Sequence, residues 1–117
     1  MRKYYLIITF LFVAISSFSQ DIKDIWKQLS SDIDSEVAGD RSGYSVSMSS
    51  DGTIVAVGAW GNDGNAADAG HVRIYQYSDN TWTQLGSDID GDAADDKSGW
   101  SISLSSDGSK VAIGAIG

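Results

Sequence analysis

The chain states one pattern twice. Residues 26–61 read WKQLSSDIDSEVAGDRSGYSVSMSSDGTIVAVGAWG, and residues 82–117 read WTQLGSDIDGDAADDKSGWSISLSSDGSKVAIGAIG. The copies lie 56 residues apart, align without a gap, and share 22 of 36 positions. A fixed period of this length marks a repeat architecture, in which each unit hides its apolar face only by stacking on the next. The second copy reaches Gly117 after 36 of its 56 positions. The expectation is therefore an N-terminal piece of a longer protein, one that needs further repeats of its own chain.

The first residues are of another kind. Arg2 and Lys3 precede an apolar run over residues 4–15, broken only by Thr9, and Ser17-Phe18-Ser19 supplies a small-x-small cleavage pattern. Residues 1–19 are expected to be a signal peptide, and residues 20–25 the lead-in of the mature chain. An uncleaved anchor is the alternative, but the run falls short of the ~20 apolar residues that a spanning helix needs. There is no cysteine to carry a lipid or a disulfide. A secreted or cell-surface location follows as an expectation, with no membrane span after cleavage.

Charge narrows the partners. Sixteen acidic side chains, fifteen of them Asp, stand against eight basic ones, two of which lie in the leader. Such a surface repels phosphate backbones, so a nucleic-acid partner is not expected.

Periodicity locates the strands. Tyr44, Val46 and Met48 alternate with serines, as do Trp100, Ile102 and Leu104, which predicts strands with the apolar side buried. Asp51-Gly52 and Asp107-Gly108 follow, the signal for a two-residue type I′ hairpin with positive φ at both centres. Residues 53–59 are apolar nearly throughout, as in a strand covered on both faces. After a Gly/Asn/Asp-rich loop, residues 71–77 predict a third strand, with Val72, Ile74 and Gln76 opposite Arg73, Tyr75 and Tyr77. Ser78-Asp79-Asn80 makes a turn, and residues 81–85 predict a fourth strand. No helix is expected in the mature chain. The fold class is all-β, built of four-stranded antiparallel β-propeller blades, about one and a half repeats of a longer propeller. Repeat 1 spans residues 26–81, beginning with the fourth strand of a preceding blade at residues 25–29, and repeat 2 spans residues 82–117. An orphan fourth strand suits closure of a ring, where it completes the last blade and protects its edge; a stack that merely begins there is the alternative.

The segments from Ser42-Gly43-Tyr44-Ser45-Val46 to Val55-Ala56-Val57-Gly58-Ala59, and from Ser98-Gly99-Trp100-Ser101-Ile102 to Val111-Ala112-Ile113-Gly114-Ala115, resemble FG-GAP repeats. The resemblance extends over essentially everything after Ile25 and implies the propeller of integrin α subunits, in the variant of exported bacterial proteins. Ser42 and Ser98 replace the family's Phe, and Trp60 and Ile116 its Pro. The resemblance also implies a calcium loop between the two motif halves. Here that place holds only Ser49-Ser50-Asp51-Gly52 and Ser105-Ser106-Asp107-Gly108, too short to wrap an ion that takes six to eight oxygens.

No catalytic constellation emerges. His71 is the only histidine, with no cysteine to join it in a zinc site. Acids that recur in each copy argue against an active site, which is normally built once. Asp88, Asp90, Asp92 and Asp96 are the candidate calcium ligands, since alternate carboxylates resemble calcium-loop spacing. Against them, the expected Gly and closing Glu are missing, and Asp side chains bond their own backbone in Asx turns. Asn62-Asp63-Gly64-Asn65 with Asp68 is a second candidate, better explained by turn chemistry. No cofactor beyond calcium is suggested. The expected function is non-catalytic adhesion or recognition of a protein or glycan. The alternative is a propeller enzyme whose active site lies in further blades.

Overall fold

A computed structural model describes residues 25–117, so the leader and most of the lead-in lie outside the described residues. Seven strands form: β1 (Ser45–Met48), β2 (Ile54–Ala59), β3 (His71–Ser78), β4 (Thr81–Gln84), β5 (Ile89–Asp90), β6 (Ser101–Leu104) and β7 (Val111–Gly114). Among the described residues there is no helix. β1 to β4 pair in chain order into one antiparallel sheet, the expected blade, and β6–β7 open the second. β2, apolar throughout, is buried from Val55 to Ala59.

The blades stack through their first strands. The Ser45 hydroxyl donates to the Gly99 carbonyl oxygen at 2.6 Å, and the Leu104 N–H donates to Ser47 Oγ at 2.9 Å. At the far end, the Ser50 N–H and hydroxyl both donate to the Ser106 carbonyl oxygen, at 2.9 and 3.0 Å. Gly58 permits the approach: a Cβ there would run into the Gly99 carbonyl and lie 2.5 Å from Ser45 Oγ.

Three expectations are corrected. The hairpin at Asp51-Gly52 is not a two-residue type I′ turn. The Ser49 N–H bonds Ile54 O, leaving a four-residue loop in which only Gly52 has positive φ (74°). The Asp51 carboxylate is the reason, because it turns forward to accept from the Ser49 hydroxyl, the Thr53 N–H and the Thr53 hydroxyl. Asp107 repeats this with Ser105 and Ser109. The type I′ geometry appears instead at Asp79-Asn80, with φ of 51° and 60° between the paired Ser78 and Thr81.

Residues 25–29, expected as a strand, form none, and Trp26 is 93% exposed. A fourth strand needs a third as partner, and the edge of β3 already carries β4.

The burial of β1 is inverted. Its apolar side is open, with Val46 61% and Met48 54% exposed, while Ser45 and Ser47 are half-buried. In β6 the same alternation has the expected sense, Ile102 and Leu104 being the half-buried ones. The apolar face of repeat 2 covers the serine face of repeat 1, and no described residue does the same for Val46 and Met48.

Candidate functional site

The β3 edge is shared by two strands. β4 pairs with residues 75–78 of β3, and β5, which the sequence did not suggest, pairs with His71 and Val72. Between them Gly86, at φ 73°, turns the chain so that Asp88 swings back over β3.

Asp88 there meets Arg73 side on. Arg73 Nε donates to Asp88 Oδ1 and Nη2 to Oδ2, both at 2.8 Å, while Gln84 Nε2 donates to Oδ1 at 2.7 Å. The planar guanidinium fits the carboxylate by two parallel bonds, the stronger form of such pairs. Glu36, from the linker before β1, reaches the same Nη2. The Arg73 bond, helped by Gln84, holds Asp88 down to about 2 from an ordinary 3.8. Asp88 in turn raises Arg73.

His71, two residues before Arg73 on the same strand, points its buried Nδ1 at Asp88 Oδ2 across 3.6 Å, with no hydrogen-bond partner among the described residues. Glu36, His71 and Asp88 place ligand atoms within 4.8 Å of one another, near enough to share an ion. Arg73 already bonds both carboxylates, so a metal would have to share them with a guanidinium. The cluster as it stands is a clasp that ties the linkers at residues 36 and 88 to one strand.

The four candidate calcium ligands are not brought together. Asp88 faces Arg73, Asp96 Oδ2 accepts the Ala93 N–H at 2.9 Å, and Asp90 and Asp92 are exposed. The second candidate folds as turn chemistry: Asn62 Oδ1 accepts the Gly64 N–H at 2.9 Å and Asp63 Oδ1 the Asp68 N–H at 2.7 Å. Asp40, 5% exposed, accepts from Asn62 Nδ2 at 3.0 Å and links that loop to the linker before β1. A cleft of about 400 Å³ opens between the two, walled by Glu36, Asp40, Asp63 and Asp68. The hairpin acid Asp107 is held down to about 2 by the Ser109 amide first and then by hydroxyls, which leaves its carboxylate committed to the turn.

An aromatic cluster at the same end had no sequence signal beyond alternation. The Tyr44 and Trp100 rings, equivalent in the two repeats, lie 4.8 Å apart, and Trp60 stands 5.9 and 5.3 Å from them. Arg41 lies over Trp60 at 4.7 Å, a cation–π contact. Tyr44 is 53% exposed.

A family model described as FG-GAP repeat matches residues 31–75, from the linker before β1 through most of β3. No curated protein and no solved structure matches the chain.

Proposed function

We propose, from the premise that this chain carries an FG-GAP repeat, that it is a non-catalytic β-propeller module for adhesion or recognition, secreted or held at the cell surface. One observation carries this reading: the long connections all gather at one end of the blades. The linkers at residues 30–44 and 86–100 and the loop at 60–70 lie there, and the short hairpins lie at the other end. Binding residues are commonly carried on loops that a rigid scaffold positions. The gathered end holds the acidic cleft and the Tyr44–Trp60–Trp100 cluster. The exposed Tyr44 ring, backed by the half-buried Trp60 and Trp100 near the acidic cleft, suits a glycan or a basic protein surface, as flat apolar area next to hydrogen-bond acceptors.

The test uses labelled chain on a glycan array and on a panel of extracellular proteins. Tyr44→Ala and Asp63→Ala at the loop end are expected to lower any specific binding at least tenfold, and Asn80→Ala at the hairpin end to leave it unchanged. The reverse order would refute the reading. Export is checked separately: intact mass of the material secreted by a bacterial host is expected to begin at Gln20.

A further inference from the structure

The clasp on β3 leaves one buried atom unaccounted for. His71 stands inside the sheet, paired with Ala59 of β2 on one side and Asp90 of β5 on the other. Its side chain is 5% exposed, and its Nδ1 faces Asp88 with no hydrogen-bond partner among the described residues. A buried polar atom without a partner is costly, so its position calls for a further group. Asp88 is built to match. Its Oδ1 accepts from both Arg73 Nε and Gln84 Nε2, whereas Oδ2 accepts only from Arg73 Nη2. A carboxylate oxygen has two lone pairs, so Oδ2, the oxygen that faces His71, keeps one to give.

The separation is informative. At 3.6 Å, Nδ1 and Oδ2 are too far apart for a hydrogen bond. Two ligands of one tetrahedral zinc ion, with bonds of about 2.0–2.2 Å, stand about 3.3–3.6 Å apart. Glu36 brings a third ligand atom, and all three lie within 4.8 Å of one another. Its side chain is 50% exposed, which leaves an ion a way in. Charge runs the same way, since two carboxylates meet a single guanidinium and one negative charge is left over.

We propose that Glu36, His71 and Asp88 form a zinc-type site, with the ion on His71 Nδ1, Asp88 Oδ2 and a Glu36 oxygen, and with the fourth position open to water or a ligand oxygen. An imidazole between two carboxylates selects a transition ion of this kind over calcium, which takes oxygen ligands. Arg73 and Gln84 orient the Asp88 carboxylate, as hydrogen-bonded neighbours do for metal-ligating carboxylates. The guanidinium lowers the affinity for a cation without using the lone pair that the ion takes. The site stands on the clasp and is independent of what the loop end recognises.

The test is titration of the whole, tag-free chain with zinc chloride near neutral pH, followed by calorimetry and by proton–nitrogen spectra of the imidazole. His71 is the only histidine and there is no cysteine, so a single ring reports on the site. One equivalent is expected to bind, shifting the Nδ1 resonance while Nε2 keeps its proton. Glu36→Gln and His71→Gln are each expected to weaken binding at least tenfold. Asp92→Asn, at the position equivalent to Glu36 in the second copy, is expected to leave it unchanged. Because Glu36 is half exposed, its variant decides the matter should His71→Gln fail to fold. Excess calcium is expected not to displace the zinc. No saturable binding, an unmoved Nδ1 resonance, or indifference to Glu36→Gln would overturn the proposal. So would displacement by calcium, which would mean an all-oxygen site among the other acids.

Discussion

Arg73 and Asp88 show how one pair can govern a junction. The carboxylate sits 27% exposed with three donors on it, and its ionised form is the one those donors favour. A depressed carboxyl contributes stability that is fully present above its unfolded pKa and is lost as pH falls toward the folded value. For Asp88 that window runs from about pH 4 down to about pH 2. Allowing for solvent screening at a partly exposed site, the contribution is about 1–2 kcal/mol. Asp88→Asn is therefore expected to lower stability at pH 7 by about that amount and to flatten the acid limb of the curve. Urea unfolding at a series of pH values measures both. An unchanged acid limb in the variant would show that Asp88 titrates freely. The same residue explains why this site was hard to read in the sequence. Alternate Asp residues suggested a cation, and the cation that arrives is an arginine fifteen positions earlier, adjacent only once β3 and β5 pair. The usable signal was the Gln and Asp four residues apart in both copies, Gln28 with Asp32 and Gln84 with Asp88.

At the scale of strands, alternation and turn residues carried most of the architecture. Ser45–Met48, Ile54–Ala59, His71–Ser78 and Thr81–Gln84 all fall within a residue of where periodicity put them. The Asp51-Gly52 turn failed for a local reason, the Asp51 carboxylate bonding Ser49 and Thr53; the other failures each depended on a partner that local sequence does not name. Residues 25–29 carry a strand's composition but lack a neighbour, and β5 exists only because β3 extends beyond β4 and leaves His71 and Val72 to pair. The side of β1 that is covered was decided by β6 and not by its own hydrophobicity. This dependence makes the contact at Gly58 testable. An added methyl there meets backbone from the next blade, which cannot rotate aside as a side chain can. Gly58→Ala is expected to cost about 1–3 kcal/mol through overpacking, despite the gain in strand propensity. Thermal unfolding followed by tryptophan emission reports it, because Trp100 lies at this junction beside Tyr44. A variant as stable as the parent would mean that the blades are free to slide apart.

For the whole molecule, the decisive property is that its two blades are chemically alike and unequally covered. Val46 and Ile102 are equivalent residues on equivalent strands, yet Val46 is 61% exposed and Ile102 packs against Gly58. One substitution made at both positions should therefore have opposite consequences. Ile102→Lys pushes a charge into the junction, losing apolar burial worth roughly 1.5–3 kcal/mol with the desolvation of the ammonium added. It is expected to destabilise the chain strongly in urea. Val46→Lys changes a side chain that already faces water, and its effect on unfolding is expected to stay within about 0.5 kcal/mol. Its effect should appear in association instead. Val46, Met48, Val55 and Leu29 border one continuous apolar gap, and a face of this kind draws in other surfaces unless it is covered. The parent chain is expected to self-associate with rising concentration, and Val46→Lys to shift it toward monomer. Sedimentation velocity over a hundredfold concentration range, beside urea titrations of both variants, decides the matter. A parent that stays monomeric throughout, or a Val46→Lys variant that unfolds as readily as Ile102→Lys, would show that the open face is already satisfied within the chain and that blade stacking does not continue through it.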